Sequence, residues 1–109
     1  MNAEGEGDTP LSVTVQDAAD VVTVRLAGEL DMDTAGQLVD TFNRILDGDG
    51  RNVVLDLGDL EFLDSSGLRV LLDGRERAIE KGATLRVRRP RPFVERVLRI
   101  SGIAELLGL

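Results

Sequence analysis

Apolar and polar residues alternate twice near the start of the chain. Leu11, Val13 and Val15 interleave with Ser12, Thr14 and Gln16, and Val22, Val24 and Leu26 interleave with Thr23 and Arg25. A period of two predicts two strands, each with one buried face. The Asp17-Ala18-Ala19-Asp20 segment between them predicts a hairpin turn. Gly28-Glu29-Leu30-Asp31 reads as a polar corner. The period then becomes helical: Ala35, Leu38, Val39, Phe42, Ile45 and Leu46 form one apolar stripe. Asp31, Asp33 or Thr34 is expected to cap its start, with Gly48 and Gly50 at its end. Val53-Val54-Leu55, with Leu57 beyond Asp56, predicts a short central strand covered on both faces. It is expected to end at Leu57, with Asp59 and Glu61 in a loop. Leu68, Leu71, Leu72, Ala78 and Ile79 predict a second helix closed by Lys81-Gly82. Leu85 and Val87 between Arg86 and Arg88 predict a last strand. Pro90 and Pro92 open a final helix through Phe93, Val94, Val97, Leu98 and Ile100, which Gly102 breaks before the apolar tail Ile103 to Leu109.

The resulting order, β-β-α-β-α-β-α, predicts an α/β fold: one domain with a mixed sheet of about four strands packed by helices. The later strand-helix-strand unit implies a right-handed parallel crossover. The domain is expected over residues 10–109. Residues 1–9 are Gly-rich, acidic and aperiodic, and read as a flexible tail.

Composition narrows the chemistry. The 109 residues include no Cys and no His, which removes disulfides, thiolate sites, Ser-His or Cys-His nucleophile pairs and the commonest metal ligand. The net charge of −7 and the absence of Trp and Tyr argue against direct nucleic-acid binding. No apolar stretch approaches the ~18 residues of a membrane span, and the first residues carry no secretory pattern. The expectation is a cytoplasmic binding protein without cofactor or metal, and not an enzyme.

The segment that can carry chemistry is Asp64-Ser65-Ser66-Gly67. Alone, it is an ordinary helix start, where Asp and Ser cap free N–H groups. Its place after the central strand puts both serines at the sheet edge where ligands and partners meet open α/β domains. Val53-Val54-Leu55-Asp56-Leu57 followed by Phe62-Leu63-Asp64-Ser65-Ser66-Gly67-Leu68 and Val70-Leu71-Leu72 resembles the signature of STAS-domain anti-sigma-factor antagonists. Leu26-Ala27-Gly28-Glu29-Leu30-Asp31 with Thr34-Ala35, and Val97-Leu98-Arg99-Ile100-Ser101-Gly102-Ile103, resemble two further segments of that family. The resemblance covers roughly residues 11 to 109, with three motifs in order.

The resemblance implies a partner-switching cycle. The unphosphorylated antagonist binds an anti-sigma factor serine kinase, a sigma factor is released, the kinase phosphorylates the antagonist, and a serine phosphatase restores it. The matching acceptor is Ser66, with Ser65 as the alternative. The resemblance also places Glu29, Asp31 and Asp33 near Asp64, Ser65, Ser66 and Gly67 as candidate partner contacts. Arg69 stands where the family often has a small residue, and bears on which kinase is recognised.

Three other constellations carry weaker signals. Arg86, Arg88, Arg89, Arg91, Arg96 and Arg99 form a basic region that solvated strand and helix faces explain. Asp56, Asp59, Glu61 and Asp64 match no calcium loop and read as loop solvation and capping. A serine hydrolase using Ser66 would have no evident base, since Lys81 is the one Lys. The alternative binding function is a STAS accessory subunit of a transport or signalling complex.

Overall fold

The structure, a computed structural model, describes residues 10–48 and 50–109. The tail expected over residues 1–9 lies outside them. The elements follow the expected order: β1 (Leu11–Asp17), β2 (Val21–Leu30), α1 (Ala35–Ile45), β3 (Asn52–Leu63), α2 (Ser65–Glu80), β4 (Leu85–Arg88) and α3 (Pro92–Ile100), with a closing 3-10 turn at Glu105–Leu107. The sheet order is β1-β2-β3-β4; β1 runs antiparallel to β2, and β2, β3 and β4 are parallel.

Val22, Val24, Leu26, Val53, Leu55, Leu57, Leu85 and Val87 are buried on one face of the sheet. Leu38 and Phe42 of α1, and Val70, Leu71 and Ala78 of α2, complete that core. Gly74 lets the two helices approach: a Cβ there would come within 2.5 Å of the Phe42 ring. Ile103, Ala104 and Leu107 are buried, so the C-terminal tail is part of the core.

Three expectations are corrected. First, β2 does not turn at Gly28. It continues to Leu30, which is fully buried, with irregular pairing between Arg25 and Ala27 and between Gly28 and Glu29. Gly28 takes φ +105, a Cβ there would meet the Pro10 carbonyl, and Glu29 N–H donates to that carbonyl at 2.7 Å. Second, β3 does not end at Leu57. The segment with Asp59 and Glu61 pairs with the extended β2 as far as Leu63, because Leu60 and Leu63 still have buried sites to fill. Third, the middle of β3 is covered by helices on one face only. On the other lie half-buried Val54 and buried Asp56, flanked by the exposed Arg25, Arg86 and Arg88.

The apolar stripes also overreach. Val39, Ile79, Phe93 and Ile100 are exposed. Phe93 instead stacks on Phe62, with ring centroids 6.0 Å apart.

Candidate functional site

The site is built on the ends of β2 and β3. Asp64 is the N-cap of α2: its Oδ1 accepts from Ser66 N–H at 2.9 Å and from Gly67 N–H at 3.1 Å. Asp64 N–H donates to the Leu30 carbonyl at 3.3 Å, which ties the helix start to the end of β2. Gly67 is needed for this approach. A Cβ there would lie 2.5 Å from Leu63 Cδ1, 2.9 Å from Leu30 Cγ and 3.0 Å from the Leu30 carbonyl oxygen. With Gly67 turned inward, Ser65 is exposed and Ser66 is half-exposed. The capping is done by Asp64, so both hydroxyls are spared that task.

Leu30 also leads into the second part of the site. Asp31 Oδ1 accepts from Asp33 N–H at 3.0 Å and Thr34 N–H at 3.1 Å. The buried Thr34 hydroxyl donates to the Glu29 carbonyl at 2.8 Å and accepts from Asp31 N–H at 2.9 Å. Of the three expected cap residues, it is Thr34 that stands at the start of α1. Thr34 holds the N-cap position of α1 without a side-chain cap bond, and Asp31 serves the turn before it. Of the three acidic candidates, Asp31 is committed inside the turn, while Glu29 and Asp33 face solvent. Met32, at the turn's apex, is 76% exposed.

The expected residues therefore gather on one edge: Glu29 to Asp33 from the end of β2, and Asp64 to Gly67 from the end of β3. Arg69 follows on the exposed side of α2, in a groove shared with Ser65, Leu68, Leu72 and Asp73. Sequence reasoning missed Met32, and named Thr34 and the half-exposed Phe62 without placing them at this edge. The signal for Met32 was an apolar residue isolated between two acids in a short turn.

Asp56 is not part of this edge. It is 1% exposed, and Arg89 Nη2 donates to both of its carboxylate oxygens, at 3.2 and 3.1 Å. Arg88 lies 3.5 Å away, Arg25 3.8 Å, and Gly58 N–H donates at 3.0 Å. Burial alone would raise its pKa, but the Gly58 hydrogen bond, the Arg89 hydrogen bond and the charges of Arg89 and Arg88 outweigh burial and hold it below the ordinary carboxylate value. Arg89 adopts φ 59, and Arg91 Nε donates to the Gly58 carbonyl at 3.0 Å, so the loop into α3 is clamped to β3. Among the described residues no three carboxylates gather as a metal site, and no helix is long and apolar enough to cross a membrane.

Comparison with known proteins decides the family. A family model described as "Mlab, STAS domain" matches residues 13–108. The anti-sigma F factor antagonist of Paenibacillus polymyxa is 35% identical over 101 residues, spanning 91% of this chain and 86% of that protein. The chain belongs to the STAS-domain anti-sigma-factor antagonist family. Solved STAS structures agree. An anti-sigma factor antagonist from Mycobacterium paratuberculosis superposes with TM-score 0.76 at 30% identity, covering 91% of this chain and 84% of its own. The antagonist SpoIIAA in its unphosphorylated form gives TM-score 0.70 at 28% identity, covering 86% and 84%.

Proposed function

We propose that this STAS domain is an anti-sigma-factor antagonist that binds an anti-sigma serine kinase through the β2–β3 edge and is switched off by phosphorylation of Ser66. The observation that carries the reading is the placement of Ser66. It is half-exposed in the first turn of α2, beside the Glu29–Asp33 turn, in a helix capped by another residue. Two relatives support the partner class. One is named an anti-sigma F factor antagonist, and SpoIIAA is known in an unphosphorylated form.

The transfer needs little from this chain. The Ser66 Oγ forms a bond to the γ-phosphorus of ATP, the bond to ADP breaks, and the hydroxyl proton passes to a base on the kinase. The antagonist supplies a positioned nucleophile and a docking face that includes Glu29, Asp33, Met32, Ser65 and Arg69, while Gly67, expected among the contacts, is buried and acts by letting α2 approach Leu30. A phosphate then brings about −1.5 to −2 charges to this face beside Asp64. A misplaced or unpaired charge at an interface costs several kcal/mol, and about 3 kcal/mol weakens binding more than 100-fold. A serine phosphatase reverses the ester. The family description alone also fits an accessory subunit of a transport complex; the named relatives favour the antagonist.

The test is incubation with anti-sigma kinases and ATP, read by intact mass and site mapping. The expected result is one added phosphate on Ser66, with release of the kinase. Ser66→Ala should bind and remain bound, and Ser66→Asp should fold but bind weakly. Full phosphorylation of Ser66→Ala would move the acceptor to Ser65. Capture of a membrane ATPase complex in place of a kinase would overturn the antagonist reading.

A further inference from the structure

Among the described residues, the outer edge of β1 is open in a way that edge strands usually are not. β1 pairs with β2 without a bulge, from Leu11 opposite Gly28 to Asp17 opposite Val22. In an antiparallel pair, alternate residues turn both backbone groups toward the partner. The bonds from Glu29 N–H to the Pro10 carbonyl and from Ala18 N–H to the Val21 carbonyl fix the phase. Residues 12, 14 and 16 turn toward β2, and Leu11, Val13, Val15 and Asp17 turn outward. Among the described residues, one hydrogen bond reaches this outward row, from Gln37 Nε2 to the Leu11 carbonyl at 3.4 Å. Val13 and Val15 thus present two N–H and two C=O groups. Edges are ordinarily guarded by Lys, Pro or a bulge, and Leu11–Gln16 contains neither a charge nor a Pro.

We propose that this edge joins a second copy of the chain, β1 against β1 in antiparallel fashion about a two-fold axis at Thr14, making one eight-stranded sheet. The strand is self-complementary in that register. Val13 lies opposite Val15 of the other copy and exchanges both backbone hydrogen bonds with it, as the outward phase requires. Thr14 meets Thr14, a favourable cross-strand pair, and Ser12 meets Gln16. The one charged residue, Asp17, falls opposite Leu11, so the two Asp17 carboxylates stand at opposite ends of the strand pair. Half-buried Val13 and Val15 would lose their remaining exposure. Val13 also lines a groove with Gln37, Asp40, Thr41 and Arg44 of α1. Asp40 and Arg44 stand one turn apart with opposite charge on this groove, and a two-fold-related copy carries the same pair in reversed order. The interface lies on the sheet's flank and leaves the Ser66 edge free.

Sedimentation velocity over a concentration series tests this. The chain should pass from monomer to dimer as concentration rises toward about 1 mM. Thr14→Lys and Thr14→Asp should each weaken the dimer about tenfold or more by placing like charges across the axis. An equimolar mixture of the two should restore it as a heterodimer. Val15→Pro removes one outward N–H, which an edge strand tolerates. It should be monomeric with unchanged far-UV circular dichroism. A wild-type chain that stays monomeric throughout overturns the proposal. So does a Thr14→Lys dimer as tight as wild type, or a mixture that does not associate.

Discussion

Two residues, one in the candidate site and one outside it, show how much rests on single atoms. At Gly67 an added methyl would meet Leu63, Leu30 and the Leu30 carbonyl oxygen, the last at 3.0 Å. Alanine gains about 1 kcal/mol of helix propensity over glycine, but here it must push aside the buried Leu63 and Leu30 side chains and crowd the Leu30 carbonyl, and such overpacking costs about 1–3 kcal/mol. Gly67→Ala is expected to lower stability in urea titration and to weaken kinase binding by moving Ser66. Asp56 is the second. Its lowered pKa means that the folded state holds the carboxylate ionised at a pH where the unfolded chain begins to bind a proton. The stabilisation is fully present above the unfolded value of about 4 and is lost as pH falls through the lower folded value. Asp56→Asn should therefore flatten the acid limb of stability against pH. At neutral pH it should cost about 1–3 kcal/mol, less than a fully buried pair because the arginines are partly solvated. Thermal melts of both proteins from about pH 3 to 7 check both effects. The Asp64-Ser65-Ser66-Gly67 pattern made the helix start that carries the candidate serines legible in sequence. The Thr34 hydroxyl and the Asp56–Arg89 pair were not legible, because each joins residues through a turn or a loop whose path no periodicity reports.

At the scale of elements, all three helices and four strands were readable from periodicity. The strand ends were not. Leu60 and Leu63 alternate poorly with Gly58, Asp59 and Phe62, so the second half of β3 looked like loop. Its pairing with β2 supplies what the local pattern lacks, and β2 itself survives a positive-φ glycine at Gly28. The same blindness hid the contact between α1 and α2. Gly74 interrupts the apolar stripe of α2, yet it is the position where Phe42 presses closest. Gly74→Ala is expected to destabilise by about 1–3 kcal/mol despite its better helix propensity. Phe42→Leu alone should cost a comparable amount through its cavity. Combined, the two changes should cost clearly less than their sum, since each relieves the other. A double-mutant cycle in denaturant measures this directly, and strict additivity would mean that the helices do not meet there.

At the scale of the whole molecule, the question is whether the proposed switch needs the fold to change. The helix start that would receive the phosphate is already served by the Asp64 carboxylate, which accepts from Ser66 and Gly67 N–H. A phosphate on Ser66 therefore meets a like charge before it meets a free donor. It cannot be drawn inward, because Gly67 packs on Leu30 and Leu63 and the buried sheet lies behind them. The ester must stand outside the edge, on the proposed docking face. The Asp64 carboxylate is half-buried and already bonded to two N–H groups, and its repulsion toward a phosphate that faces solvent is still screened by water and salt to about 1 kcal/mol, small against the 5–15 kcal/mol typical of a domain. The phosphorylated chain should thus stay folded, with a melting temperature lowered by no more than about 4–8 °C. Backbone amide shifts between the two forms should concentrate in residues 63–69 and 30–34, leaving β1, β4 and α3 in place. A phosphoprotein whose shifts spread through the whole sheet would mean that release works by remodelling the domain, and the charge argument would then be the wrong one.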